Sequence, residues 1–111
     1  MRRLPLICLL ALFPGSAFAQ NIQTVPMTKI SYLENGWSGN GLAIHVSGVG
    51  IDGCPAANNK FALSADHPGY DTILALALSA QAQDADIELI VDKGNCLFGD
   101  RTRILSIRLY D

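Results

Sequence analysis

The sequence contains no C-x-x-C pair, no internal repeat, no low-complexity tract, and no uninterrupted apolar run of the roughly 20 residues that a membrane-spanning helix needs. A thioredoxin-type redox motif, a solenoid and a spanning helix are therefore not expected. Large aromatics are scarce, with a single tryptophan, Trp37. Basic residues are scarce too: eight Lys and Arg stand against ten Asp and Glu in 111 residues. That balance disfavours binding to a polyanion, so no nucleic-acid partner is expected. The length leaves room for one small core, which excludes a two-domain enzyme, a dinucleotide-binding fold and a TIM barrel. What is abundant is apolar side chain, half of the composition. It recurs along the whole chain, as a folded domain requires to offset chain entropy.

Residues 1–19 read as a secretory leader. Arg2 and Arg3 form the positive start, residues 4–13 the apolar core, and Ala17-Phe18-Ala19 a small-x-small cleavage site. Cleavage after Ala19 leaves residues 20–111 as one exported domain, periplasmic or secreted. Without Arg2 and Arg3, six of the eight basic residues face ten acids, a formal charge of about −4. The leader also takes Cys8, so that only Cys54 and Cys96 remain, both in Gly/Asn/Asp-rich loops, the second over residues 93–101. In an oxidising compartment such an isolated pair is read as a disulfide. A metal site or a redox pair is the competing reading, with only His45 and His67 to join the two sulfurs.

Residues 25–33 alternate loosely and suggest a first strand, bent or bulged near Pro26. Residues 34–41, Glu34-Asn35-Gly36-Trp37-Ser38-Gly39-Asn40-Gly41, form a turn or loop. Leu42, Ile44 and Val46 then alternate with Ala43, His45 and Ser47, the period of a strand buried on one face. A loop over 48–59 leads to a short strand at 60–64, where Phe61 and Leu63 share a face. Asp66-His67-Pro68 predicts a helix start, with a capping residue ahead of a proline in the first turn. The helix should reach Gln83, with Tyr70, Ile73, Leu74, Ala77 and Leu78 at helical spacing. Two strands follow: 87–92, with Ile87, Leu89 and Val91 on one side, and 103–110, with Leu105, Ile107 and Leu109 on one side. The predicted order is β-β-β-α-β-β. This mainly β arrangement with one helix is that of an OB-fold-like five-stranded small barrel, or alternatively of an α+β sandwich.

No constellation of catalytic residues is apparent, and no cofactor or metal is expected. Asp66 beside His67 invites an acid–base reading for a small hydrolase, but both residues also suit a helix N-terminus. Ser38 and Ser64 lack the context of a nucleophile elbow, and Asp84, Asp86 and Glu88 read as a solvated turn and strand edge. Binding is the better reading. Trp37, Ser38 and Asn40 share a glycine-rich loop, and an aromatic flanked by amides suits a sugar face or a protein hot spot. Trp37 could equally fold back as a plug over one end of a barrel. Lys93, Arg101, Arg103 and Arg108 concentrate positive charge near the C-terminal hairpin.

The stretch 60–92 combines a short strand, the His67-Pro68 helix entry, an Ala-rich helix and then Ile87-Glu88-Leu89-Ile90-Val91. In this it resembles the B subunits of subtilase cytotoxin and the related pertussis-like toxins, and 41–48 fits their second strand. The resemblance implies an exported OB-fold that assembles as a ring of five, holds a catalytic A-type subunit over its central helices and binds sialylated glycans on cell surfaces. The helix agrees with assembly, because its apolar residues wrap past one face. Leu76 and Ala80 are expected closer to a subunit contact than Ile73 or Leu74. An exported protein-binding adaptor or inhibitor without glycan activity is the alternative.

Overall fold

A computed structural model of the chain describes residues 21–36, 40–48, 51–56 and 58–110. The leader expected over residues 1–19, Trp37 and Ser38 lie outside the described residues. Six strands and one helix follow one another as β1 (Ile22–Thr28), β2 (Ile30–Asn35), β3 (Gly41–Val46), β4 (Lys60–Ser64), α1 (Tyr70–Gln83), β5 (Asp86–Leu97) and β6 (Arg101–Tyr110). The strands form a single sheet in the order β1-β5-β6-β4-β3-β2, in which β4 and β6 run parallel and every other pair is antiparallel. The chain is thus mainly β with one helix, but the predicted order needs correcting. The expected first strand is two strands, and the helix follows the fourth strand instead of the third.

The cause lies at Pro26. Val25 pairs with Leu89 and Thr28 with Ile87, so β1 carries one extra residue there. A proline with no N–H to give fits such a bulge. Beyond Lys29 the chain leaves β5 and pairs with β3 instead, Ile30 opposite Val46. Consecutive strands thereby occupy the two opposite edges of the sheet. Thr28 and Ile30 are two residues apart, at most about 7 Å, so the sheet curls at this corner, but β1 and β2 do not pair and the sheet is not closed into the expected barrel. The corner is pinned from both sides. The Ser47 N–H donates to the Lys29 carbonyl at 2.9 Å and the Gly48 N–H to Thr28 Oγ1 at 2.9 Å. The Lys29 ammonium donates to the Asp84 carbonyl at the end of α1 and pairs with Asp86 at 3.2 Å. Asp84 and Asp86 are thus tied to this corner, and not merely solvated as the sequence suggested.

The inside of the curl is the core. Val25, Ile44, Phe61, Leu63, Leu89 and Ile104 are all at most 1% exposed. Ile87, Leu89 and Val91 face it together, as their period predicts. The last strand departs from prediction: Ile90 pairs with Ser106 but Val91 with Ile104, so Leu105 is an extra, bulged residue. The bulge reverses the alternation, puts Ile104 inside and leaves Leu105 half-buried. Helix α1 lays Ile73, Ala77 and Ala80 against the core and leaves Leu78 51% exposed. Ala80, expected near a subunit contact, is at 1% exposure already covered within its own chain, while Leu76 is half-buried.

The helix starts later than Asp66-His67-Pro68 predicts: its N-cap is Gly69, without a side-chain capping bond. Asp66 is exposed, and only its backbone N–H is engaged, donating to Ser64 Oγ at 3.1 Å. His67 is structural. Its Nδ1 accepts the Gly69 N–H at 2.8 Å, and its Nε2 lies 2.9 Å from the Leu105 carbonyl. Because Nδ1 is an acceptor, the proton sits on Nε2 and is donated to the bulge carbonyl. His67→Ala removes both partners, and a loss of about 2 kcal/mol in unfolding free energy is expected. A denaturant titration in which His67→Ala unfolds at the wild-type midpoint would remove this assignment.

Candidate binding face on the outside of the sheet

Cys54 and Cys96 are bonded, with Cys96 inside β5, paired to Thr102, and not in the loop expected over residues 93–101. The bridge holds the 51–56 loop against the hairpin made by β5 and β6, where the Ala56 N–H also donates to the Asp100 carbonyl at 3.0 Å. At the tip of this hairpin three successive residues, Phe98, Gly99 and Asp100, have φ of 48°, 73° and 78°. Only the glycine adopts that region freely. What holds the tip is visible at Gly41, whose absent Cβ would lie 2.6 Å from Cζ of Phe98. Phe98 thus packs on the first residue of β3. Asn40, exposed at the same place, accepts the Ala65 N–H at 3.0 Å through its carbonyl, while the Gly36 N–H donates to the Gly41 carbonyl at 3.0 Å and closes the loop that carries Trp37. Of the three loop residues singled out in the sequence, Asn40 alone is described.

Strand pairing assembles a row of polar and aromatic side chains on the outside of the sheet. Tyr32 lies opposite His45, and His45 opposite Lys60. The parallel register of Phe61 with Thr102 then sets Lys60 beside Arg101. Alternation with the buried residues Ile44 and Phe61 turns His45 and Lys60 outward. The rings of Tyr32 and His45 are stacked, 4.5 Å between centroids and 9° from parallel, and Tyr32 remains 42% exposed. Arg101 reaches Glu34 at 3.3 Å, and the next row inward is Ala43 and Ala62, exposed by 4% and 0%. Larger side chains there would displace what lies over them. Tyr32, Glu34, Ala43, His45, Lys60 and Arg101 line a crevice too tight to admit a water molecule. The exposed ring of Tyr32 lies beside it.

The electrostatics favour an anion. Lys93 pairs with Asp52, Arg101 with Glu34 and Arg108 with Glu88, whereas Lys60 and Arg103 have no partner among the described residues. The positive charge noted near the C-terminal hairpin is thus mostly neutralised, and Glu88, also held by the Tyr110 hydroxyl at 2.6 Å, is no free solvated edge. Around His45 two cations, Lys60 and Arg101, outnumber the single carboxylate of Glu34. Burial, then Lys60 and Arg101, hold its pKa below the ordinary value of 6.5, against the pull of Glu34. Its Nδ1 is buried without a hydrogen-bond partner among the described residues.

His45 was visible in the sequence as the polar side of an alternating strand. Tyr32, Lys60 and Phe98 were not singled out, because their significance lies in neighbours 13 to 57 residues away along the chain. Among the described residues there is no group of three or more His, Cys, Asp or Glu side chains placed to hold a metal ion, and no helix is long and apolar enough to cross a membrane. No protein-family model, no curated protein and no solved structure matches this chain.

Proposed function

We propose that this chain is an exported, non-enzymatic binding subunit of the toxin B-subunit type, and that its ligand is an acidic, sialylated glycan held on the outside of the sheet. The observation that carries this reading is the row Tyr32, His45, Lys60 and Arg101, an exposed aromatic stack beside an unpaired ammonium. A sugar ring stacks on the aromatic face while its carboxylate takes the charge of Lys60. The topology supports an OB-fold-like barrel. With β1 and β2 counted as one bent strand, β3 and β4 become the second and third strands, the face on which OB-folds bind oligosaccharides. The loop before β3 and the hairpin bearing Phe98 are then the two loops that flank that face.

Fluorescence of the single tryptophan, Trp37, during titration with a sialylated trisaccharide and with its neutral disaccharide core tests this. The acidic sugar is expected to bind, and Tyr32→Ala and Lys60→Ala each to weaken it by roughly tenfold or more. An anion beside His45 stabilises its protonated form, so affinity should also rise as pH falls below the ordinary histidine range, where His45 takes up its proton. Equal binding of the neutral core, or no effect of Lys60→Ala, would remove the reading.

In the same proposal the chain assembles as a homo-oligomeric ring, pentameric by the resemblance, which presents its helices to a catalytic subunit. The exposed side chains Ala75, Leu78 and Ala82 of α1 supply the contact. Light scattering should give a multiple of the single-chain mass that falls on Leu78→Asp. A single-chain mass throughout the micromolar range would exclude the ring.

A further inference from the structure

A second depression lies on the same outer face, beyond Ala62. It is a cleft of about 150 Å³ lined by Asn21, Ile22, Asp92, Arg103 and Leu105. Strand register explains why these residues meet: Ile22 lies opposite Asp92, and Asp92 opposite Arg103. The fifth wall is Leu105, the bulged residue of β6. The bulge moves this apolar side chain out of the core alternation, and His67, bonded to the Leu105 carbonyl at 2.9 Å, holds it there. Bulges of this kind re-aim a side chain beside a functional site.

The charges in the cleft are unusual. Asp92 and Arg103 are cross-strand neighbours of opposite sign, yet they form no ion pair with each other, and Arg103 has no partner among the described residues. One oxygen of Asp92, Oδ1, accepts the Gly94 N–H at 2.9 Å, and Oδ2 has no partner among the described residues. Between two apolar walls, Ile22 at 45% exposure and Leu105, the cleft thus offers one guanidinium and one carboxylate oxygen. A ligand with a single charge would answer only one of them and leave the other unpaired. A ligand with both charges a few ångströms apart and an apolar branch answers all four groups.

We propose that this cleft binds a free hydrophobic α-amino acid as its zwitterion. The ligand's carboxylate pairs with Arg103, its ammonium with Asp92 Oδ2, and its side chain lies between Ile22 and Leu105. The volume agrees, being about half of the lower limit of roughly 300 Å³ for drug-sized pockets. The site shares no lining residue with the crevice at Tyr32 and Lys60, and its occupancy does not depend on glycan binding.

Isothermal titration calorimetry of the mature chain with L-leucine, N-acetyl-L-leucine and L-leucinamide tests the proposal. Leucine should bind, and each of the two singly charged analogues should bind at least tenfold more weakly. Arg103→Gln and Asp92→Asn should each weaken leucine binding by at least tenfold. Asparagine at 92 still accepts the Gly94 N–H, and an unchanged circular dichroism spectrum and melting temperature separate lost binding from lost fold. Lys60→Ala should leave leucine binding intact. Absence of leucine binding to the wild-type chain overturns the proposal, as does equal affinity for N-acetyl-L-leucine, equal affinity for L-leucinamide, or full affinity in Arg103→Gln.

Discussion

Replacing Cys54 and Cys96 together by serine is expected to lower the melting temperature by on the order of 20 °C. The bridge closes a loop of 42 residues that contains β4, α1 and most of β5. Constraining a loop of that length in the unfolded chain contributes about 4 kcal/mol in the chain-entropy model. For a domain this small, that is a large share of the 5–15 kcal/mol that ordinary proteins possess. The bond also secures the 51–56 loop to the hairpin whose tip packs Phe98 on Gly41 of β3, so reduction should loosen that contact before the rest of the sheet. Differential scanning calorimetry of the double variant, and of the wild type with and without reductant, measures the effect. A shift of only a few degrees would mean that the sheet holds those loops without the bond.

Gly41→Ala is expected to cost about 3 kcal/mol, although it adds one methyl group. Gly41 has φ of +154°, which side-chain-bearing residues rarely adopt, and its Cβ would fall 2.2 Å from the Leu63 carbonyl oxygen and 2.6 Å from Cζ of Phe98. The two obstacles differ in kind. Phe98 can swing aside, but the Leu63 carbonyl belongs to the pairing of β3 with β4, where Leu42 faces Leu63. Phe98→Ala added to Gly41→Ala should therefore restore only part of the lost stability. Urea denaturation of the two single variants and the double variant gives the coupling. A Gly41→Ala protein within about 0.5 kcal/mol of wild type would show that β3 can shift to make room.

The inward and outward sides of most strands were legible from local pattern. Leu42, Ile44 and Val46 had to share a face because the strand period is two, and Ile87, Leu89 and Val91 likewise. The helix over 70–83 followed from its spacing, although its start was placed too early. Proline at 68 is compatible with a first turn, but the His67 side chain caps the preceding turn by accepting the Gly69 N–H, so helical bonds begin at Gly69. The disulfide was legible for a simpler reason: with the leader set aside, two cysteines have one possible pairing.

Residue order also determined that the chain buries a core within one small, mainly β domain, because alternation and apolar content are local properties. It could not determine which strands pair. Tyr32 meets His45 because the chain crosses from one edge of the sheet to the other at Lys29, Lys60 meets Arg101 because β4 runs parallel beside β6, and Arg103 meets Asp92 through the bulged register of β5 with β6. One inserted residue in a strand reverses which side chains face inward, so the bulge at Leu105 brings Ile104 into the core. That bulge is set by Ile90, Val91 and His67, from distant parts of the chain. The faces of the strands are written in a two-residue period, whereas the neighbours across them are chosen by the packing of the whole sheet.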